Sequence, residues 1–162
     1  MALALLGCVA THGCMKPPGE KLPSTDAAGL AQFVDEHRGR VVLVDFWATW
    51  CSPCVQLLPH TAELDKQWGD RGLTGVGVSL DAPADEAYVR RLLAQKGANV
   101  PNFISRFGAS AQSAEDFDIK GSAIPFIRIY DRQGKPFRTL GGDKPVDPEE
   151  IDKAVEEAIS SG

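Results

Sequence analysis

Val41-Val42-Leu43-Val44-Asp45-Phe46-Trp47-Ala48 is a continuous apolar run, β-branched and aromatic, interrupted by one acid, and after Thr49-Trp50 it meets Cys51-Ser52-Pro53-Cys54. A run of that kind reads as a strand buried on both faces. Beyond it, Leu57, Leu58, Leu64 and Trp68 are the apolar positions of a helix expected from about Ser52 to Trp68. Pro59 lies inside that helix, cannot donate to the Val55 carbonyl, and predicts a kink there. The two cysteines therefore stand where a buried strand hands over to a helix. A strand with no wet face needs cover on both sides, which points to helices flanking a largely parallel sheet.

This junction also carries the chemistry. At a helix N-terminus Cys51 faces unpaired backbone N–H groups and the positive end of the helix dipole, both of which favour its thiolate. Cys51 is read as the nucleophile. Cys54, three residues on, is within disulfide reach inside the first turn, where its sulfur is more buried and attacks second. Ser52 and Pro53 are the intervening dipeptide, and Pro53 loses nothing because first-turn N–H groups have no helical partner. Two other readings of the pair exist. A zinc site would need completion by Cys8, His12 and Cys14 of the N-terminal tail, or by His60 in mid-helix. A purely structural disulfide would close only two intervening residues and restrain the unfolded chain little. No metal and no organic cofactor is expected. Asp45, six residues before Cys51, sits in the middle of the apolar strand. A buried carboxylate is costly, so a raised pKa and a role as proton acceptor for Cys54 are expected, the alternative being a carboxylate merely paired by a hydrogen bond.

The remainder fills in one domain. At 162 residues the chain is long enough to bury roughly 70% of its unfolded surface. Seventeen basic against twenty-two acidic residues give a net charge of -5, the wrong sign for a surface that tracks phosphates, so no nucleic-acid partner is expected. Residues 1–25 read as a tail. Leu5-Leu6-Gly7-Cys8 resembles the lipobox at which bacterial lipoproteins are cleaved and acylated, making Cys8 a lipidation candidate, and the Gly- and Pro-rich stretch 12–25 reads as a linker. The domain is expected over 26–162. Asp26 can cap a helix with Leu30, Phe33, Val34 and His37 on one face and Gly39 to stop it; His37 is read there as an amphipathic edge residue. Leu73 to Leu80 predicts a second buried strand, and Asp85 to Lys96 a helix carrying Val89, Leu92 and Leu93. Residues 97–118 suggest a short strand and a loop or short helix. Phe126 to Tyr130 and Pro136 to Leu140 form a hairpin around Asp131-Arg132-Gln133-Gly134, and Asp147-Pro148-Glu149-Glu150 starts a last helix with Ile151, Val155, Ala158 and Ile159 as its stripe.

The segment Val42 to Cys54 resembles the active-site segment of the thioredoxin-like superfamily. Pro59 stands where that superfamily has its kinking proline, and Ala123-Ile124-Pro125-Phe126 matches the loop whose proline is cis. The similarity runs from about Asp26 to Ser160, and the helix-bearing stretch between Asp81 and Phe117 is similar to the insertion of membrane-anchored TlpA/ResA-type thiol-disulfide oxidoreductases. The resemblance implies an α/β thioredoxin fold, a central mixed sheet flanked by helices with an extra helix-bearing insertion before the cis-proline loop. It implies Cys51 as attacking and Cys54 as resolving thiol, Asp45 as buried acid, Trp50 as aromatic flank, and Ile124 with Pro125 beside the sulfurs for substrate binding. Trp47 is read as core. Leu57 departs from a glutamate carried by several apocytochrome-directed members. The expected function is reduction of protein disulfides outside the cytoplasm, with protein thiols or disulfides as substrate, an upstream dithiol electron donor, a lipid tether on Cys8 and a monomeric state. The alternatives are a redox-inactive binding module of the same fold and a cytosolic general reductase. Retention of both cysteines, Asp45 and Pro125 speaks against the former.

Overall fold

The computed structural model describes residues 21–161. Among the described residues six strands form one sheet in the order β1-β4-β3-β2-β5-β6. They are β1 (Ser24–Thr25), β2 (Val41–Trp47), β3 (Leu73–Ser79), β4 (Asn102–Ser105), β5 (Phe126–Tyr130) and β6 (Pro136–Gly141). The helices are α1 (Ala27–Glu36), α2 (Ser52–Trp68), α3 (Glu86–Lys96), α4 (Ala111–Asp116) and α5 (Pro148–Ser160). The pairs β1–β4, β4–β3 and β3–β2 are parallel, whereas β5 runs antiparallel to β2 and β6 antiparallel to β5. This is the mixed sheet expected from alternating buried strands and helices followed by a late hairpin.

β2 lies in the interior of the sheet, and every residue of it is buried. Alternate side chains leave its two faces in opposite directions. Val42, Val44 and Phe46 join Leu30 and Val34 of α1, Val89 and Leu93 of α3, and Phe117 in one core. Val41 and Leu43 join Leu57 and Leu64 of α2 and Ile151 and Val155 of α5 in the other. Asp45 shares the parity of Val41 and Leu43, so its carboxylate leaves the sheet toward the layer that holds α2.

The caps explain where the helices begin. Asp26 accepts from the Gly29 N–H at 2.9 Å, and Asp147 accepts from the Glu149 N–H at 3.0 Å. Ser110 accepts from the Ser113 N–H at 3.4 Å and opens α4. α1 ends at Glu36 with His37 as its C-cap; the His37 ring packs, tilted, against Phe33 with centroids 4.2 Å apart. α2 runs through Pro59 from Ser52 to Trp68. The hairpin turn is closed by Asp131, whose Oδ1 accepts from the N–H groups of Gln133 and Lys135, both at 2.9 Å.

One segment differs from the sequence reading. Ser24 and Thr25, read as the end of a linker, pair with Ile104 and Ser105. Pro23 and Thr25 offer carbonyls to the N–H groups of Ile104 and Arg106, and Thr25 is buried. A two-residue strand carries no periodicity to read, and the pairing that fixes it lies some eighty residues further along. The stretch 97–118, expected as a short strand and a loop or short helix, holds β4 and the six-residue α4. Cys8, His12, Cys14 and most of the expected linker lie outside the described residues.

Candidate active site

Cys51 is the N-cap of α2, and its sulfur accepts from the Cys54 N–H at 3.3 Å. Cys51 and Cys54 are joined in a disulfide with Cα atoms 5.3 Å apart. Cys54 is fully enclosed, while Cys51 keeps 7% of its surface in contact with solvent, so the first cysteine is the one a partner can reach. Ser52 and Pro53 are exposed at the helix start. Trp50, just before the disulfide, is 62% exposed, unusually open for a large aromatic side chain.

The chain returns to the sulfurs through residues 123–126. The Ile124–Pro125 bond is cis, as the sequence reading expected, and the Ile124 carbonyl oxygen lies 3.7 Å from Cys51 Sγ. Between this loop, Trp50 and α4 runs a groove of about 280 Å³ bordered by Leu80, Ala114, Ile119 and Ile124. Sequence placed Trp50, Ile124 and Pro125 at the site, and the structure brings them around the disulfide. The contribution of α4 to the groove had no local signal, because Ala111 and Ala114 are unremarkable until the fold sets them beside Trp50.

Asp45 is fully buried in β2. Thr61 Oγ1, from α2, donates to Asp45 Oδ2 at 3.1 Å, and Asp45 Oδ1 has no hydrogen-bond partner among the described residues. Loss of hydration raises the carboxyl pKa to about 7, and the Thr61 hydroxyl opposes that rise. The group is thus poised to hold or release a proton near neutrality, as a general base requires. Thr61 was not found from sequence; a threonine in a helix is too common to stand out.

A second buried acid also escaped the sequence reading. Asp81, just beyond β3, is buried and receives the Thr49 N–H at 2.9 Å, the Thr49 hydroxyl at 2.5 Å and the Ser79 hydroxyl at 2.7 Å. Pro59 is half-buried in α2 and Leu57 is buried against the α5 layer. Trp47 is fully buried, with its Nε1 donating to Asn102 Oδ1 at 3.4 Å, a core residue as expected. His60 Nε2 lies 2.8 Å from Asp152 Oδ1, linking α2 to α5. No group of His, Cys, Asp and Glu among the described residues is arranged to hold a metal ion.

A model of the family Redoxin matches residues 17–150. The chain belongs to the Redoxin family. Among curated relatives of this Redoxin-family chain, the thioredoxin-like protein YneN of Bacillus subtilis is 31% identical over 108 residues, covering 66% of the chain and 59% of YneN. The thiol-disulfide oxidoreductase ResA of Bacillus thuringiensis subsp. konkukian is 24% identical over 129 residues, covering 78% of the chain and 70% of ResA. The chain thus spans somewhat less than two thirds of YneN and somewhat more of ResA. Among solved structures, a Chlorobium tepidum protein assigned as the thiol:disulfide interchange protein DsbE superposes with a TM-score of 0.67 at 27% identity, covering 86% of the chain and 92% of that structure. The fold is thioredoxin-like, and the likeness to ResA- and DsbE-type proteins agrees with the TlpA/ResA-type resemblance read from the motifs.

Proposed function

We propose that this chain is a thiol-disulfide oxidoreductase that reduces protein disulfides outside the cytoplasm through the Cys51/Cys54 dithiol. The observation that carries the reading is the disulfide at the N-terminus of α2, with Cys51 as cap and Cys54 enclosed behind it. In the reduced enzyme, the Cys51 thiolate attacks one sulfur of a substrate disulfide. A Cys51–substrate disulfide forms, and the substrate's other sulfur leaves as a thiolate and is protonated from solvent. Cys54 then gives its proton to the Asp45 carboxylate and attacks Cys51 Sγ. The Cys51–Cys54 disulfide closes, and the substrate departs with its second thiol. Two electrons pass from the enzyme dithiol to the substrate, and an upstream dithiol donor returns them. Trp50, Ile124 and Pro125 flank Cys51 and supply the docking surface for the substrate chain. Ser52, Pro53 and Pro59 shape the helix that presents the thiols.

Equilibration of the purified protein with glutathione tests the direction. A reductant is expected nearer to the thioredoxin value of about -270 mV than to the DsbA value of about -120 mV, and a potential above about -180 mV would overturn it. The place is supported by the likeness to TlpA/ResA-type proteins and by the lipobox-like Leu5-Leu6-Gly7-Cys8. No helix among the described residues is long and apolar enough to cross a membrane. The anchor in this reading is lipid on Cys8, with more than one acyl chain needed for stable attachment. Fractionation of cells making the full-length protein tests it. Recovery in the membrane fraction with acylated Cys8 is expected; recovery in the cytoplasm with unmodified Cys8 would leave a cytosolic reductase. In this reading the protein acts as a monomer.

A further inference from the structure

The proposed reaction uses Asp45 and leaves the second buried acid, Asp81, without a part. Its surroundings are specific. Both carboxylate oxygens are occupied, one by the Thr49 hydroxyl and the other by the Thr49 N–H and the Ser79 hydroxyl. The Asp81 N–H in turn donates to Ser79 Oγ at 3.1 Å, and Leu80 N–H donates to the Trp47 carbonyl at 2.8 Å. The ends of β2 and β3 are thereby tied together where both strands leave the sheet. Thr49 belongs to the turn in which the Cys51 N–H donates to the Ala48 carbonyl at 3.1 Å. One residue further is Trp50, and then the sulfur.

We propose that Asp81 is a positioning residue for the dithiol: by clamping Thr49 to the end of β3 it fixes the Ala48–Cys51 turn and holds Cys51 Sγ over the Cys54 N–H. The inference rests on the reading that Cys51 is the attacking thiol. Its weight falls on the reduced state. In the oxidised protein the covalent bond to Cys54 confines Cys51 Sγ. Once that bond opens, the turn helps to keep the sulfur at the helix N-terminus beside the Cys54 N–H, where the unpaired N–H groups favour its thiolate. A clamp on Thr49 keeps that placement without touching the substrate or the sulfurs.

The test separates geometry from charge. In Asp81→Ala the clamp is lost. In Asp81→Asn, the amide oxygen can still accept from the Thr49 N–H and the Ser79 hydroxyl while the amide nitrogen donates to Thr49 Oγ1, so the clamp survives and only the charge disappears. The reduced full-length proteins are treated with iodoacetamide at neutral pH, and carboxamidomethylation of the Cys51-containing peptide is followed by mass spectrometry. Asp81→Ala is expected to slow alkylation about fivefold, the equivalent of one lost cap-type hydrogen bond, and Asp81→Asn to be no slower than the parent. An unchanged or faster rate in Asp81→Ala, or an Asp81→Asn rate as low as that of Asp81→Ala, would overturn the proposal. A charge acting on its own gives the faster result, because removal of a negative charge favours a nearby thiolate. Should Asp81→Ala fail to fold, Thr49→Val keeps the side-chain shape, removes the hydroxyl donor and is expected to slow alkylation in the same direction; an unchanged rate there would overturn the clamp equally. The ratio of variant to parent rates decides this inference, whereas the parent's own ability to reduce a protein disulfide decides the proposed function.

Discussion

Thr61 Oγ1 donates to Asp45 Oδ2 at 3.1 Å, and this is the hydrogen bond that opposes the effect of burial on the Asp45 carboxyl. Thr61→Val keeps the shape of the side chain and removes the donor. The Asp45 pKa should then move above its value of about 7, since loss of a bond to the charged form favours the neutral one. Carboxyl-carbon NMR of labelled aspartate, recorded across pH in both proteins, reads the shift; an unmoved titration would show that Thr61 does not set the proton affinity of the site.

Asp45 also makes stability depend on pH in a direction unusual for an acid. Its folded-state pKa of about 7 lies above the ordinary 3.8, so between those values the folded protein holds the proton more tightly than the unfolded chain. The resulting contribution is complete below pH 3.8 and is lost as pH rises toward 7. Asp45→Asn removes the titrating group and should gain stability relative to the parent as pH rises, by about 3 kcal/mol between pH 5 and pH 8. Urea melts of both proteins at pH 5 and pH 8 measure it, and parallel changes in the two would refute the linkage. Turnover of Asp45→Asn should be slower, because an amide cannot accept the proton of Cys54.

The difference in enclosure between the two sulfurs sets the outcome of trapping. Cys54→Ala leaves Cys51 able to attack with nothing to resolve the product, so mixed disulfides should accumulate on Cys51. Cys51→Ala leaves only the enclosed thiol and should trap little. Non-reducing gels with mass spectrometry of the adducts distinguish the two, and equal trapping would reverse the assignment.

Gly141, at the end of β6, has φ +94, and a Cβ placed there would collide with the Pro125 carbonyl oxygen. Gly141→Ala combines strain of about 1–2 kcal/mol from the left-handed backbone with pressure on the loop beside the disulfide. The variant should lose stability and also turn over more slowly, as read by thermal melts and by disulfide reduction. A loss of stability with unaltered turnover would show that β6 does not support the Pro125 loop.

The parts of this molecule that could be read from sequence are those whose physics is local. Val41 to Ala48 announces a buried strand by composition, Cys51 and Cys54 announce a helix start by spacing, and Asp147-Pro148 caps α5 in three residues. Asp45 stood out because a charge in an apolar run needs a reason. Thr61 and Asp81 did not, since each acquires its role only from a partner 16 or 32 residues away. The strand Ser24–Thr25 was hidden for a related cause. It is too short to show a period, and it is fixed by the strand it pairs with.

The order of the strands bears on what such a protein must survive. At one margin of the sheet stands β1, only two residues long, and at the other stands β6, which begins with Pro136 and carries Arg138. A brief strand offers almost no ladder, while a proline without a donor and a charged side chain discourage a newcomer from pairing. In the proposed reduction of protein disulfides the molecule meets extended substrate chains, and every such chain is a candidate extra strand. Blunt margins let it pass electrons to those chains without pairing with them as an added strand.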